Sequence, residues 1–227
     1  MKEHLIRPIA HIESDFPEKF GIPRQAGVVE ELRARVVFDG EYRCDEALRG
    51  IEGFSHLWLI WHFSEAERDA WSPTVRPPRL GGNVRMGVFA TRSPFRPNAL
   101  GLSCVRLLGL EKREGKGTTL LVAGADLMDG TPIFDVKPYI PYADAHPDAA
   151  GGFAPDPGRT LEVCFAPGRE ETVPAEKRAA LRGVLANDPR PRYQDDPERV
   201  YAMSFADLTV RFRVTDDKLT VTEVEKR

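Results

Sequence analysis

Leu102-Ser103-Cys104-Val105-Arg106-Leu107-Leu108-Gly109-Leu110, then the turn signal Gly115-Lys116-Gly117, then Thr118-Thr119-Leu120-Leu121-Val122-Ala123-Gly124-Ala125: this stretch decides the fold. Both runs are apolar and short, and glycine punctuates the gap between them, the signature of strand, turn and strand. The pattern continues outward in both directions. Leu5–Ile12, Arg33–Phe38, Leu57–Phe63, Val84–Ala90 and Ile133–Ile140 all read as strands. Turns at Asp39-Gly40, Gly81-Gly82, Arg96-Pro97-Asn98 and Asp129-Gly130 part them. Many short strands with turns between them predict a barrel or a sandwich. Leu57–Phe63 is apolar nearly throughout, so it is expected as a central strand covered on both faces. Asp45–Arg49 has room for one helical turn before Gly50.

The character changes after Asp144. Residues 143–158 are rich in Ala, Pro, Asp and Gly and read as a linker or long loop. Beyond it, Thr160–Ala166 is a strand candidate. Pro174–Asn187 reads as a helix with an apolar stripe at Leu181, Val184 and Leu185. Tyr201–Val214 and Lys218–Glu225 read as a strand pair turning at Thr215-Asp216-Asp217. The expected division is a β-barrel domain over 1–145, a linker over 146–158 and a small α+β domain over 159–227. A unit of that last size is marginal alone and is expected to pack on the first.

The chain has 227 residues, 41% hydrophobic and 30% charged, which suits one large or two small soluble domains. No apolar run is long enough for a membrane helix. The stretch from Met1 to His11 lacks a secretory pattern, so the expected compartment is the cytoplasm. Three cysteines, Cys44, Cys104 and Cys164, stand far apart, and the five histidines show no ligand spacing. Neither a disulfide framework nor a metal site is motivated. No glycine-rich dinucleotide fingerprint, P-loop or nucleophile elbow is present.

Net charge is -3, yet its distribution is uneven. Between Ala70 and Leu110 there is no Asp, Glu or Lys, while Arg76, Arg79, Arg85, Arg92, Arg96 and Arg106 all fall there. An Arg-only island gives a locally positive surface suited to bidentate contact with phosphate or carboxylate, unless acids from elsewhere pair with it. Within the island, Arg92-Ser93-Pro94-Phe95-Arg96-Pro97-Asn98 is a loop stiffened by two prolines. Phe20-Gly21-Ile22-Pro23-Arg24-Gln25-Ala26-Gly27 is a second stiff loop, presenting an Arg and a Gln or simply connecting two elements. His62, near a strand end, is a ligand contact or a satisfied core histidine. Asp135, Lys137 and Tyr139 alternate on one strand face, opposite Phe134, Val136, Pro138 and Ile140. That polar row lines a cavity or an interface, or is a solvated face braced by an Asp135–Lys137 ion pair.

These segments together resemble the TsaA-like, TrmO-type family of tRNA N6-methyltransferases, which act on threonylcarbamoyl-adenosine at position 37 beside the anticodon. The resemblance is carried by Arg7-Pro8-Ile9-Ala10, Pro23-Arg24-Gln25, Gly53-Phe54-Ser55-His56-Leu57-Trp58, Arg76-Pro77-Pro78-Arg79, the string Met86 to Asn98, and Asp129-Gly130-Thr131-Pro132 with Asp135-Val136-Lys137-Pro138-Tyr139. It is dense from Leu5 to Pro141 and resumes at Asp188-Pro189-Arg190-Pro191 and Tyr201. One departure is Ala99-Leu100, where the family more often has Pro-Ile. The resemblance implies an antiparallel β-barrel that binds S-adenosylmethionine without a Rossmann fold. It places the cofactor near Pro23, Arg24, Gln25, His62, Phe63, Arg92, Leu102, Asp126, Leu127, Met128 and Asp129. It also implies a homodimer with the site close to the subunit boundary. Arg76, Arg79, Arg85 and Arg96 are the candidates to hold the anticodon loop, and Asp135, Lys137 and Tyr139 the candidates to touch the acceptor base. No metal is expected. The alternatives are a non-catalytic cofactor-sensing or RNA-binding module, and a methyltransferase for another small acceptor.

Overall fold

The computed structural model describes residues 4–66, 70–156, 158–191 and 196–227. Residues 1–3 and 67–69 of the expected first domain, residue 157 of the expected linker and residues 192–195 of the expected C-terminal domain lie outside them. Six strands close into an antiparallel barrel in the order β1-β2-β7-β6-β3-β8. They are β1 (Ala10–Glu13), β2 (Arg33–Phe38), β3 (His56–His62), β6 (Leu100–Arg113), β7 (Gly117–Ala123) and β8 (Pro132–Pro138). A separate two-stranded ladder, β4 (Thr74–Val75) with β5 (Met86–Gly87), stands outside the ring. The seam is short: β8 returns to β1 through only Ala10↔Ile133 and His11↔Pro132. The long strand β6 holds the barrel by pairing β3 with its first half and β7 with its second. Arg106 pairs with both neighbours, and a bulge follows between Leu107 and Gly109, the kind of bend a small closed sheet needs.

Alternation along each strand fills the interior. Leu57, Leu59 and Trp61 of β3 point inward with Val105, Val122, Leu120, Val36 and Ile12. Four expectations are corrected here. Leu57–Phe63 is not covered on both faces: Leu57, Leu59 and Trp61 are buried and Trp58, Ile60 and His62 half-exposed, because a one-layer barrel has one dry side. The expected strand Leu5–Ile12 starts only at Ala10. Val84–Ala90 yields two strand residues and then a 3-10 turn, Val88–Ala90. Tyr201–Val214 is not one strand; it breaks at Ala206, whose φ is +52°. By contrast, Arg33–Phe38 is a strand over the expected residues, and Asp45–Leu48 forms the expected single turn.

The second core belongs to a four-stranded sheet in the order β10-β11-β12-β9. Its strands are β9 (Glu162–Phe165), β10 (Tyr201–Phe205), β11 (Leu208–Thr215) and β12 (Lys218–Lys226). A one-turn helix, α1 (Pro141–Asp144), precedes it, and α2 (Ala175–Ala186) buries Leu181, Val184 and Leu185 against it. This core is not built from the C-terminal residues alone. Phe16, Val29 and Leu32 are buried within it, and Phe20 stacks on Phe212 at 6.5 Å. The segment 14–32 is thus pinned at both ends. Ser14 donates its N–H to Asp129 at 2.9 Å and its hydroxyl to the carbonyl of Leu127 at 2.9 Å. The Asp15 carboxylate pairs with Lys177 at 2.6 Å, and its carbonyl accepts the Ala206 N–H at 2.7 Å. Gly21, with φ +99°, presses on Met203: a Cβ there would lie 2.2 Å from the sulfur. Phe16→Ala should therefore destabilise the whole chain, by about 3–5 kcal/mol as for other buried phenylalanines. A denaturant titration reporting on both the barrel tryptophans and the helix should show one transition at lower midpoint. Loss of the helix signal alone would show that the two cores are not coupled.

Candidate active site

The ends of three barrel elements meet at one mouth. Antiparallel pairing sets His62 opposite Leu100 and Trp61 opposite Gly101, and Phe63 donates its N–H to the Ala99 carbonyl at 2.8 Å. The chain leaving β7 turns at Gly124, whose φ of +74° and near-contact with Gly27 only glycine accommodates. Gly27 donates its N–H to the Gly124 carbonyl at 2.8 Å, which docks the Pro23–Gln25 loop against the turn carrying Asp126. The cleft between them has a volume of about 2200 Å³. Pockets for one small molecule run to roughly 1,000 Å³, so there is room for a cofactor and a second molecule.

At its floor runs a chain of hydrogen bonds. The Trp61 indole lies across Gly101, where a Cβ would come within 2.2 Å of the ring. Its Nε1–H donates to Ser103 Oγ at 2.9 Å, and the Ser103 hydroxyl donates to Asp126 Oδ1 at 2.5 Å. Ser103 and Trp61 are buried. Burial pushes the Asp126 carboxyl above the usual carboxylate range, against the Ser103 hydroxyl, the Ala26 N–H and the Arg92 charge, which all act to lower it. Arg92 also donates to Gln25 Oε1, and Arg24 donates to the Arg190 carbonyl at 3.2 Å. Asn187 and Asp188, beyond the end of α2, reach the same cleft.

The Arg92–Asn98 loop is held by its own polar groups. Ser93 donates its N–H to Thr91 Oγ1 and Phe95 donates its N–H to Ser93 Oγ, each at 3.2 Å, while the Arg96 guanidinium reaches the Thr91 carbonyl at 3.1 Å. Arg79 pairs with Asp156 at 2.8 Å, so for this arginine the internal-pairing alternative describes the geometry. Arg85 makes a weak 3.4 Å contact to the Thr74 hydroxyl. Arg76 has no ion-pair partner among the described residues.

The cleft brings together Pro23, Arg24, Gln25, His62, Phe63, Arg92, Leu102, Asp126 and Met128, with Arg76, Arg79, Arg85 and Arg96. Leu127 instead fills the barrel core, and Asp129 accepts the Ser14 N–H outside the cleft lining. Asp135, Lys137 and Tyr139 do not line the cleft. Asp135 and Lys137 pair with each other at 3.0 Å on the outside of the barrel, and Tyr139 packs against Trp58 and His56. Alternation sets this placement, since Val136 and Pro138 pair with the inward Leu59 and Leu57; the strand then bulges, Ile60 pairing with Asp135 but Trp61 with Ile133, so Phe134 is the extra residue. Phe134 therefore leaves the inward row and packs on His62 at 5.7 Å. Sequence reasoning missed Gly101 and Trp61 on the floor and Ser103 buried beneath it. A signal existed, since Ser103 is a polar residue at an inward-facing strand position. Among the described residues no group of three His, Cys, Asp or Glu side chains could hold a metal ion.

The family model for the tRNA-methyltransferase O N-terminal domain matches residues 11–145, and that for the TrmO C-terminal domain matches residues 159–227. The chain belongs to the TrmO family. It is similar over its full length to the Escherichia coli (strain K12) protein named tRNA (adenine(37)-N6)-methyltransferase, at 42% identity with each chain fully covered. An Eikenella corrodens protein of the same name is 52% identical over 71% of this chain and 91% of its own. Among solved structures, TrmO from Pseudomonas aeruginosa superposes with a TM-score of 0.82 at 34% identity, covering 99% of both chains.

Within this TrmO-family chain, Asp126 makes a test of the floor possible. A carboxyl whose folded-state pKa is raised stabilises the fold fully below the unfolded value and loses that contribution as pH rises through the raised one. Asp126→Asn, neutral throughout, should melt above wild type at neutral pH, and the gap should close on acidification. Melting curves across the acid range check this; a gap that does not change with pH would show that ionisation of Asp126 is not its source.

Proposed function

We propose that this chain is a tRNA methyltransferase that uses S-adenosylmethionine to methylate N6 of adenosine 37. The acceptor carries a threonylcarbamoyl group, and the enzyme works as a cytoplasmic homodimer. The observation that carries this reading is the cleft floor: a desolvated carboxylate beside a guanidinium, under an arginine-lined rim large enough for two molecules. Full-length similarity to a protein named for that activity supports it.

The residues present fit the cofactor. Phe63, Leu102 and Pro23 offer apolar wall to an adenine ring, Asp126 and Gln25 offer acceptors to an amine or hydroxyls, and Arg92 offers a partner to a carboxylate. When bound, S-adenosylmethionine supplies a methyl group activated on a sulfonium. The protein's own work is then to position and to exclude water. An exocyclic nitrogen becomes acidic only as its new bond forms, so no strong base is needed at the start. An anticodon-loop base is unpaired and leaves its stack at small cost. The negative charge of the threonyl carboxylate finds guanidinium partners at the rim in Arg76, Arg85 and Arg96. The division into a catalytic barrel over 1–145, a linker and a C-terminal domain over 159–227 belongs to this proposal. So does the dimer.

Nucleoside mass spectrometry of tRNA incubated with protein and cofactor tests the reading. One methyl should appear on threonylcarbamoyl-adenosine, none should appear on tRNA lacking that group, and Asp126→Ala should weaken cofactor binding by about tenfold or more. Cofactor bound without any methylated nucleoside would instead favour a sensing module, and a monomer by light scattering would remove the dimer.

A further inference from the structure

Trp71 and Phe89 lie outside both cores. Trp71 is 53% and Phe89 72% exposed, and their rings stack on each other at 6.1 Å with 29° between planes. They are not on loose ends. Trp71 precedes β4 and Phe89 follows β5, and the β4–β5 ladder pairs Thr74 with Gly87 and Val75 with Met86. Val88 then donates its N–H to the Pro73 carbonyl at 2.9 Å, and Thr91 donates its hydroxyl to the Val88 carbonyl at 2.9 Å. So the pair sits on a braced platform at the cleft edge, Phe89 on the lining and Trp71 just beyond it. Arg76 and Arg85 flank the Val75↔Met86 rung, one residue outside it on each strand.

Rigid exposed aromatics interleaved with arginine are the chemistry of single-stranded nucleic-acid binding. A base stacks on the ring while guanidinium groups follow the backbone. The complementarity is one-sided, since no acidic residue falls between Ala70 and Leu110. We infer that Trp71 and Phe89 form a stacking platform for an unpaired base next to the methylated adenosine, and so hold the RNA strand open at the cleft. This rests on the proposed function and extends it to a base that is not itself modified.

The experiment measures binding of an anticodon stem-loop RNA to wild type, Trp71→Ala, Phe89→Ala and Trp71→Phe. Each alanine variant should bind the RNA about 5- to 150-fold more weakly. Trp71→Phe should stay close to wild type, because the stacking face survives. The slope of affinity against salt should not change, since no phosphate contact is lost. Cofactor affinity, melting temperature and mass by light scattering should match wild type. As a second arm that does not depend on a variant's folding, wild type should bind more weakly to a stem-loop lacking the base at position 36 or at position 38. The Trp71→Ala penalty should vanish on that same RNA. Unchanged RNA affinity in both alanine variants overturns the inference, as does equal affinity for the intact and both base-lacking RNAs. Loss of affinity together with a fall in mass also overturns it, showing the pair to be a subunit contact. A wild type that methylates tRNA while the variants are unaffected sinks this inference alone; a wild type that neither binds nor methylates tRNA sinks the proposed function with it.

Discussion

The fold depends on the segment 14–32, which is hydrogen bonded to the barrel and buried in the second core. Its first residue is hydrogen bonded to the turn at Leu127–Asp129 of the barrel, and Phe16, Val29 and Leu32 are buried in the C-terminal sheet. Between those anchors lies the Pro23–Gln25 loop that walls the cleft. Its position is therefore fixed from two sides: the Gly27–Gly124 approach on the barrel side, and Gly21 against Met203 on the other. The C-terminal sheet and α2 would form a small unit with a thin core without this segment. With it they gain three large buried side chains, and the cleft loop gains a rigid seat. Arg24, bonded to the Arg190 carbonyl, extends the same tie into the loop that follows α2.

The second constraint is local and costs stability. Asp126 is held where burial opposes its charge, and only partial compensation comes from Ser103, the Ala26 N–H and Arg92. A chain selected for stability alone would place an apolar or neutral residue there. The floor around it is built to keep the carboxylate in place: Gly101 makes room for Trp61, Trp61 donates to Ser103, and Ser103 donates to Asp126. A desolvated carboxylate with one fixed orientation is a stronger hydrogen-bond acceptor than one in water, which is the property a site for an amine requires.

Electrostatics divides the molecule. Acidic residues outnumber basic ones over the chain, but the stretch from Ala70 to Leu110 brings only arginine charge to the cleft, where Glu65, Asp126, Asp156 and Asp188 come from other segments. Part of that charge is spent internally, on Asp156 by Arg79 and on the Thr91 carbonyl by Arg96. A neutral carbonyl leaves the arginine's charge intact, so Arg96 contributes to the field of the cleft while bracing its loop. The pair Asp135–Lys137, both partners well exposed on the outside of the barrel, adds little to stability.

Strands and turns were legible because they are written locally. Period-two alternation and glycine-bearing turns placed β2, β3, β6, β7 and β8 within a residue or two at most ends, and the stripe on α2 named its buried face. The arginine island needed only counting. The family motifs pointed to the residues of the cleft, and nine of the eleven expected around the cofactor line it. What the sequence could not carry was everything set by partners distant in the chain. The bulge at Phe134 shifts register by one residue, and that alone sets Ile133 in place of Phe134 opposite Trp61 and turns Phe134 toward His62. The burial of Phe16, Val29 and Leu32 depends on a sheet whose last strand ends at Lys226. The raised carboxyl of Asp126 comes from desolvation by neighbours drawn from several strands. Alternation and turn chemistry act over a few bonds and can be read from the order of residues; register, burial and dielectric are properties of which surfaces meet, and only the folded chain brings those together.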